Sequence, residues 1–463
     1  MQDPDLLVAR RERAVRGWEL DLGAVVIASG LPVPVAGTDQ FHDFHAHPEF
    51  VYLAGRRLEG AVLAFDPGEG WTLFAHEATE DERIWVGDTE PLAHIAETSA
   101  IDRVRPSVEL QRWLEQRRAE PVALLGNHDI THRPAEYGVP GWQSLELAPD
   151  EELAARLSER IAELRRAKDP AELALMRSAA YATRQGHLAA MRLARPGITE
   201  RDLQIEVEAE FFRHGSERTA YGSILGSGPN AAILHKAPTA RVMHAGELLL
   251  MDAAAEYGGY ASDVTRTFPV GARYQGIQRD LYELVLSVQQ HAISQVRPGQ
   301  EYRDLHLRAA EGIARGLVDL GILRGAPQDL VERDAHALFF VHGLGHMLGL
   351  ATHDAGGCLP GREPSDRFGL KWLRADLPLQ PGYVVTVEPG IYFIRAVLED
   401  PKRREAYRDA VNWDRVDELL DFGGIRIEDD VLVTETGAEV LTSAIPKTID
   451  EVEALRREAL LPS

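Results

Sequence analysis

Two aspartates eleven residues apart flank a glycine pair in Glu247-Leu-Leu-Leu-Met-Asp252-Ala-Ala-Ala-Glu-Tyr-Gly258-Gly259-Tyr-Ala-Ser-Asp263-Val-Thr-Arg-Thr-Phe268. Strand-forming runs on either side of Gly-Gly predict a hairpin. A turn centred between Tyr257 and Gly258 sets Asp252 directly opposite Asp263. A turn one residue later pairs Asp252 with Thr265 instead, which still shares a face with Asp263 because strand side chains alternate. Either register gathers two carboxylates on one face of a ladder. They destabilise the hairpin unless one points to solvent or a cation sits between them.

Three more segments supply the same kinds of group. Phe339 to Asp354 is apolar apart from His342, His346 and His353 and the terminal acid. The spacing of His342 and His346 would suit a helical metal pair, but Gly343 and Gly345 predict strand or loop. The β-branched run Val384-Val385-Thr386-Val387 ends on Glu388 and is stopped by Pro389. In Gly424-Ile425-Arg426-Ile427-Glu428, alternation puts Arg426 and Glu428 on one face, inward if the isoleucines pack on the other side. The sum is four carboxylates and at least one imidazole on strands of one domain. Such charge cannot share a buried pocket uncompensated, and two divalent cations would neutralise it. Oxygen-rich ligation with one imidazole suits manganese, cobalt or iron better than a thiolate-type zinc site. Paired metals would bridge a water, lower its pKa and polarise a carbonyl.

Before Asp150 the chain mixes short apolar runs at 24–27, 61–65 and 122–125, which predict buried strands, with helical stretches, as in an α/β domain. Leu153, Leu157, Ile161 and Leu164 then recur at helical spacing. Asp169-Pro170 places an N-cap acid before a proline at the first helical position, and Thr199 is a second N-cap candidate. The domain boundary is placed near residue 168, giving domains 1–168 and 169–463. Helices followed by strands with glycine-rich turns make the second domain α+β with an antiparallel sheet. The charged stretch from Ala396 to Asp421 is an insertion between two of those strands.

Fifty Lys and Arg stand against 73 Asp and Glu, a net charge of −23, so nucleic acid and anionic lipid are unsuitable partners. Cys358 is the single cysteine, which excludes an intramolecular disulfide. No apolar run is long enough for a membrane span, and Met1 to Asp5 has no basic or apolar region of an export signal. These features predict a cytoplasmic protein.

The motifs Leu250-Met-Asp252, Ala261-Ser-Asp263-Val-Thr-Arg-Thr-Phe268, His342-Gly-Leu-Gly-His346, Val387-Glu388-Pro389-Gly390 and Gly424-Ile-Arg-Ile-Glu428 resemble, in order, those of the pita-bread metallopeptidases. That family comprises methionine aminopeptidase, Xaa-Pro aminopeptidase and prolidase. The resemblance covers about residues 170–450. It implies a pita-bread catalytic domain behind a creatinase-like α/β N-terminal domain. It implies Asp252, Asp263, His346, Glu388 and Glu428 as metal ligands, with Asp263 and Glu428 bridging two ions. Manganese is the expected metal, with cobalt or zinc as alternatives. Glu388 also takes the proton of the bridging water, the nucleophile.

By the same resemblance His235 contacts substrate near the scissile bond, and His353 steadies the carbonyl or the tetrahedral intermediate. Arg426 orients carboxylates, His342 stands behind the ligands on the substrate side, and Tyr221 precedes His235 as in prolidases. The tail from Gly369 to Gly382 and the insertion ending Val411-Asn-Trp-Asp414 are similar to prolidases. Arg374, fourteen residues before Glu388, matches the arginine that holds a dipeptide's C-terminal carboxylate, a role suited to a guanidinium. The expectation is therefore an Xaa-Pro dipeptidase acting as a homodimer, with Asp39 and Trp85 contributing to the cap over a neighbour's site. The alternative is an Xaa-Pro aminopeptidase acting on longer peptides, with organophosphorus ester hydrolysis as a side activity.

A competing pattern lies in the N-terminal half. Asp43-Phe-His45, Gly87-Asp88 and Gly126-Asn127-His128-Asp129 echo the motif order of calcineurin-like metallophosphoesterases. Pro91 occupies a position that would have to ligate metal, and the downstream Gly-His-x-His is absent, so this reading fails. A metal-free interaction module is the other rival, and the presence of all five ligand residues argues against it.

Overall fold

A computed structural model of the chain describes residues 4–126 and 149–460. It divides between Arg165 and Arg166 into two units. Asn127, His128 and Asp129 of the phosphoesterase echo lie outside the described residues.

The N-terminal unit is built on a five-stranded mixed sheet. In spatial order its strands are Val104–Pro106, Gly70–Ala75, Val62–Asp66, Ala24–Ala28 and Val122–Gly126. Ala24–Ala28 is buried along its whole length, because it pairs on both edges and carries helices on its faces. Helices Pro4–Trp18, Pro48–Ala54 and Glu151–Arg166 belong to this layer. Trp18 closes it, tilted against Phe65 and Trp71 with its indole N–H donating to the Leu157 carbonyl at 3.2 Å.

The second unit begins with helices Pro170–Leu193 and Glu200–Arg213. Asp169 and Thr199 both act as N-caps: Asp169 Oδ1 accepts from Ala171 N and Glu172 N, and Thr199 Oγ1 accepts from Asp202 N. Behind them lie small antiparallel sheets. One orders Thr265–Pro269, Leu248–Asp252 and Ile224–Ser227; another orders Val384–Val387, Asp429–Val433 and Ala438–Val440. Gly390–Tyr392 pairs with Gly424–Arg426. Helices Ile277–Ser294 and Tyr302–Asp319 pack on these strands through one large apolar core that includes Leu249, Met251, Phe268, Val285, Ile313, Val385, Ile425 and Ile427. Three short helices, Arg395–Leu398, Pro401–Ala406 and Trp413–Asp417, fill the charged insertion.

The hairpin adopts the second of the two registers, with Asp252 paired to Thr265. Gly258 and Gly259 take positive φ angles of 58° and 88°, the left-handed region that glycine enters without a Cβ penalty. This moves the turn centre one residue along and leaves Asp263 on the irregular stretch just before strand Thr265–Pro269.

Candidate active site

Strand ends and loops of the second unit converge on one pocket of about 830 Å³. Its lining includes Tyr221, His235, Asp252, Asp263, His342, His346, His353, Arg374, Glu388, Arg426 and Glu428. Every residue singled out in the catalytic sequence motifs thus reaches a single cavity. His342, His346 and His353 lie on loop, as the intervening glycines require.

The geometry is built outward from the carboxylates. Asp252 Oδ1 accepts from the Tyr221 hydroxyl, and its Oδ2 accepts from Arg426 Nη2 at 2.6 Å. Arg426 also donates from Nε to Thr265 Oγ1 at 2.8 Å and from Nη1 to the Tyr392 hydroxyl at 2.7 Å. Thr265 Oγ1 in turn donates to Glu428 Oε2 at 2.6 Å. Asp263, His346 and Glu428 each offer an atom within 4.8 Å of the others. His346 Nδ1 donates to the Met347 carbonyl at 2.9 Å. That bond leaves Nε2 aimed at the acids, 3.4 Å from Asp263 Oδ2 and 3.6 Å from Glu388 Oε1.

The electrostatics follow from burial. Burial raises Asp252 above the usual carboxylate range and lifts Glu428 well above it. Burial likewise takes Glu388 up to about 7. Burial alone would lower His346, but the Asp263 carboxylate and then Glu388 outweigh it and bring it to about 9. A proton therefore sits where a cation is needed.

His342 is different. Burial and the Arg426 charge push it down to about 3, so it is neutral. Its Nδ1 donates to the Gly343 carbonyl at 2.7 Å, and its Nε2 accepts the Tyr392 hydroxyl proton at 2.9 Å. His353 sits edge-on to His346 with ring centroids 4.4 Å apart. Partial burial, then the charges of His346 and Arg374, hold it down to about 4.

Several supporting residues were not visible in the sequence. Tyr392 links His342 to Arg426, and period-two alternation from Pro389 is the only hint of its direction. Thr386 receives the His346 backbone N–H at 3.1 Å on its Oγ1. Asp430 accepts from Ser262 Oγ and from Asp263 N, fixing the stretch that carries Asp263. The cap candidates Asp39 and Trp85 lie in the N-terminal unit, both exposed, with Trp85 on helix Glu80–Val86.

Buried carboxylates on antiparallel strand ends, with one imidazole turned toward them beside an open pocket, define a metal-dependent hydrolase site. The chain matches metallopeptidase family M24 over residues 174–435 and the N-terminal domain of aminopeptidase P over residues 8–123. It belongs to metallopeptidase family M24, with the pita-bread fold of that family in its second unit. A similar protein is the Xaa-Pro aminopeptidase of Escherichia coli K12, 32% identical over 462 residues and covering 96% of each chain. The Haemophilus influenzae Xaa-Pro aminopeptidase is 39% identical over 295 residues, 64% of this chain and 62% of that one. Among solved structures, aminopeptidase PepP of Pseudomonas aeruginosa superimposes with a TM-score of 0.81 at 30% identity, covering 99% of both chains. Zinc-substituted E. coli aminopeptidase P in complex with product gives 0.81 at 31% identity over 100% of both.

The two curated relatives are named Xaa-Pro aminopeptidases and the two solved structures aminopeptidase PepP and aminopeptidase P; none of these four is named a dipeptidase. The prolidase-like features were a short tail and an insertion. Both are connections between strands, one irregular and one holding three short helices, and such connections vary more freely than the strands that carry the chemistry.

Proposed function

We propose that the chain is a metal-dependent Xaa-Pro aminopeptidase, removing the first residue from peptides whose second residue is proline. The observation that carries this reading is the Asp263–His346–Glu428 cluster opening into the pocket lined by His235 and His353. Asp252, Asp263, His346, Glu388 and Glu428 would hold two divalent ions. The donor set fits: among the described residues Arg426 is the one permanent cation bonded to these acids, and the His346 Nε2 turned toward them takes a proton that a metal would replace. Carboxylates with one imidazole suit manganese, and cobalt or zinc would accept the same donors.

When bound, the ions supply Lewis-acid polarisation of the scissile carbonyl and acidify the attacking water. The protein's own residues do the rest. Glu388, on the pocket wall with its Oε1 3.6 Å from His346 Nε2, would take a proton at a carboxylate oxygen and return it to the departing proline nitrogen. His353 is neutral at physiological pH and donates an N–H to the carbonyl oxygen as negative charge develops there, with His235 beside it. Arg426 and Tyr221 hold Asp252 in one orientation. A homodimer in which Asp39 and Trp85 of one copy serve the other's site belongs to the same proposal.

A second reading rests on Arg374, which lines the same pocket. A guanidinium there would take the C-terminal carboxylate of an Xaa-Pro dipeptide, as in a prolidase.

The test is manganese-loaded enzyme on Ala-Pro-Ala and Ala-Ala-Ala. Alanine should be released from the first and scarcely from the second. Equal rates, or no release from either at full metal occupancy, would overturn the proposal.

A further inference from the structure

The chain enters the catalytic unit along Arg166-Ala167-Lys168, and all three residues are tied down there. Arg166 donates from Nε to the Gly356 carbonyl at 2.8 Å and from Nη2 to the Cys358 carbonyl at 3.1 Å. Ala167 makes a β-bridge with Tyr383, and Lys168 N donates to the Gly382 carbonyl at 2.8 Å. The Lys168 ammonium then reaches across 186 positions of sequence to Asp354 Oδ2 at 3.0 Å. Both side chains are only 1% exposed.

Asp354 immediately follows His353. Its backbone N–H donates to the Met347 carbonyl at 2.9 Å, closing the loop that runs from His346 to His353. Gly349 lies inside that loop, and a Cβ there would fall 2.3 Å from Asp354 Oδ2 and 2.8 Å from Lys168 Cε. The glycine leaves room for the ion pair, and the pair fills the space under the loop. His353, the residue before Asp354, packs edge-on against His346 with ring centroids 4.4 Å apart.

A buried ion pair is a poor source of stability. Desolvating both ions costs about as much as their attraction returns, and uncharged replacements of similar volume are often equally stable. What the pair does supply is a single position for the backbone at Asp354.

We infer that Lys168 and Asp354 are positioning residues for His353: the strap entering the catalytic unit fixes where that imidazole stands against the substrate carbonyl. This rests on the role proposed for His353. Neither residue touches substrate; both act through the loop.

The test replaces the pair by uncharged groups of similar shape, Lys168→Met with Asp354→Asn, in the metal-loaded full-length enzyme. Melting temperature, bound metal and steady-state kinetics on Ala-Pro-Ala are read together. The double variant should fold and bind the same metal. Its kcat should fall about tenfold or more, since a displacement near 1 Å costs up to about that much squared, while KM changes less than about threefold. In a His353→Ala background the double replacement should cause no further loss. Unchanged kcat, or a loss that multiplies with that of His353→Ala, would overturn the inference. If the double variant fails to fold, Lys168→Arg keeps the charge but overfills the space at Gly349, and the same drop in kcat is required of it. If His353→Ala alone leaves kcat intact, the role of His353 falls, a failure distinct from that of the strap.

Discussion

Arg426 Nη2 lies 2.6 Å from Asp252 Oδ2, while Nη1 of the same guanidinium donates to the Tyr392 hydroxyl at 2.7 Å. One cation thus fixes a carboxylate on strand Leu248–Asp252 from strand Gly424–Arg426 of a different sheet. Its Nε takes a third partner, Thr265 Oγ1, which passes the orientation on to Glu428. A fork of fixed geometry is needed for three such bonds at once.

Arg426→Lys keeps the charge and loses the fork. Metal affinity or activity should fall by about 10- to 100-fold, the usual cost of removing a partner behind a metal ligand. Isothermal titration of the apo-enzyme with manganese checks it, and an unchanged Kd with unchanged kcat would show that charge alone suffices.

Tyr221→Phe removes only the hydroxyl that donates to Asp252 Oδ1. The ring stays, so the melting temperature should hold. Manganese affinity should weaken about tenfold. A variant with wild-type affinity would leave Asp252 oriented by Arg426 alone.

Metal removal should destabilise the protein in a pH-dependent way. Burial raises Glu388 from 4.5 to about 7 in the folded, metal-free chain. A raised carboxyl contributes stability fully below its unfolded value, and that contribution is lost as pH rises through the folded one. His346, raised to about 9, works in the same direction at higher pH. The gap in melting temperature between metal-loaded and chelated protein should therefore widen from pH 5 to pH 7.5. His187 and His306, held down by burial to about 3 and about 4, lower stability as pH falls below 6.5. They do so in both forms and cancel in the difference. Scanning fluorimetry at the two pH values measures it, and a constant gap would contradict the account.

Asp263→Asn leaves the fold's backbone bonds in place but removes one negative charge from the three-residue cluster. Metal bound per chain, measured by atomic emission, should drop, and turnover should be abolished. Retained activity would rule out Asp263 as a ligand.

Much of this site is legible in the sequence. Alternation told that Arg426 and Glu428 share a face, because Ile425 and Ile427 needed the core on the other side. Gly343 and Gly345 told that the histidine segment is loop. The hairpin register was open by one residue, since only the turn geometry at Gly258 and Gly259 decides it. Other features depend on contacts between segments far apart in sequence. Lys168 reads as the tail of a basic helix end, and nothing local points to Asp354. Tyr392 reads as a buried strand residue, although its hydroxyl joins His342 to Arg426. The choice between dipeptidase and aminopeptidase is not legible in the sequence for a related reason. Arg374 suits a carboxylate anchor by type, and its residue type does not say what stands opposite it.

Relative rates on Ala-Pro and Ala-Pro-Ala, at equal concentration with manganese-loaded enzyme, test the central claim most directly. The account predicts faster cleavage of the tripeptide, with Arg374→Ala altering its KM little. Faster cleavage of the dipeptide, with a large rise in its KM on Arg374→Ala, would contradict the account and make the chain a prolidase.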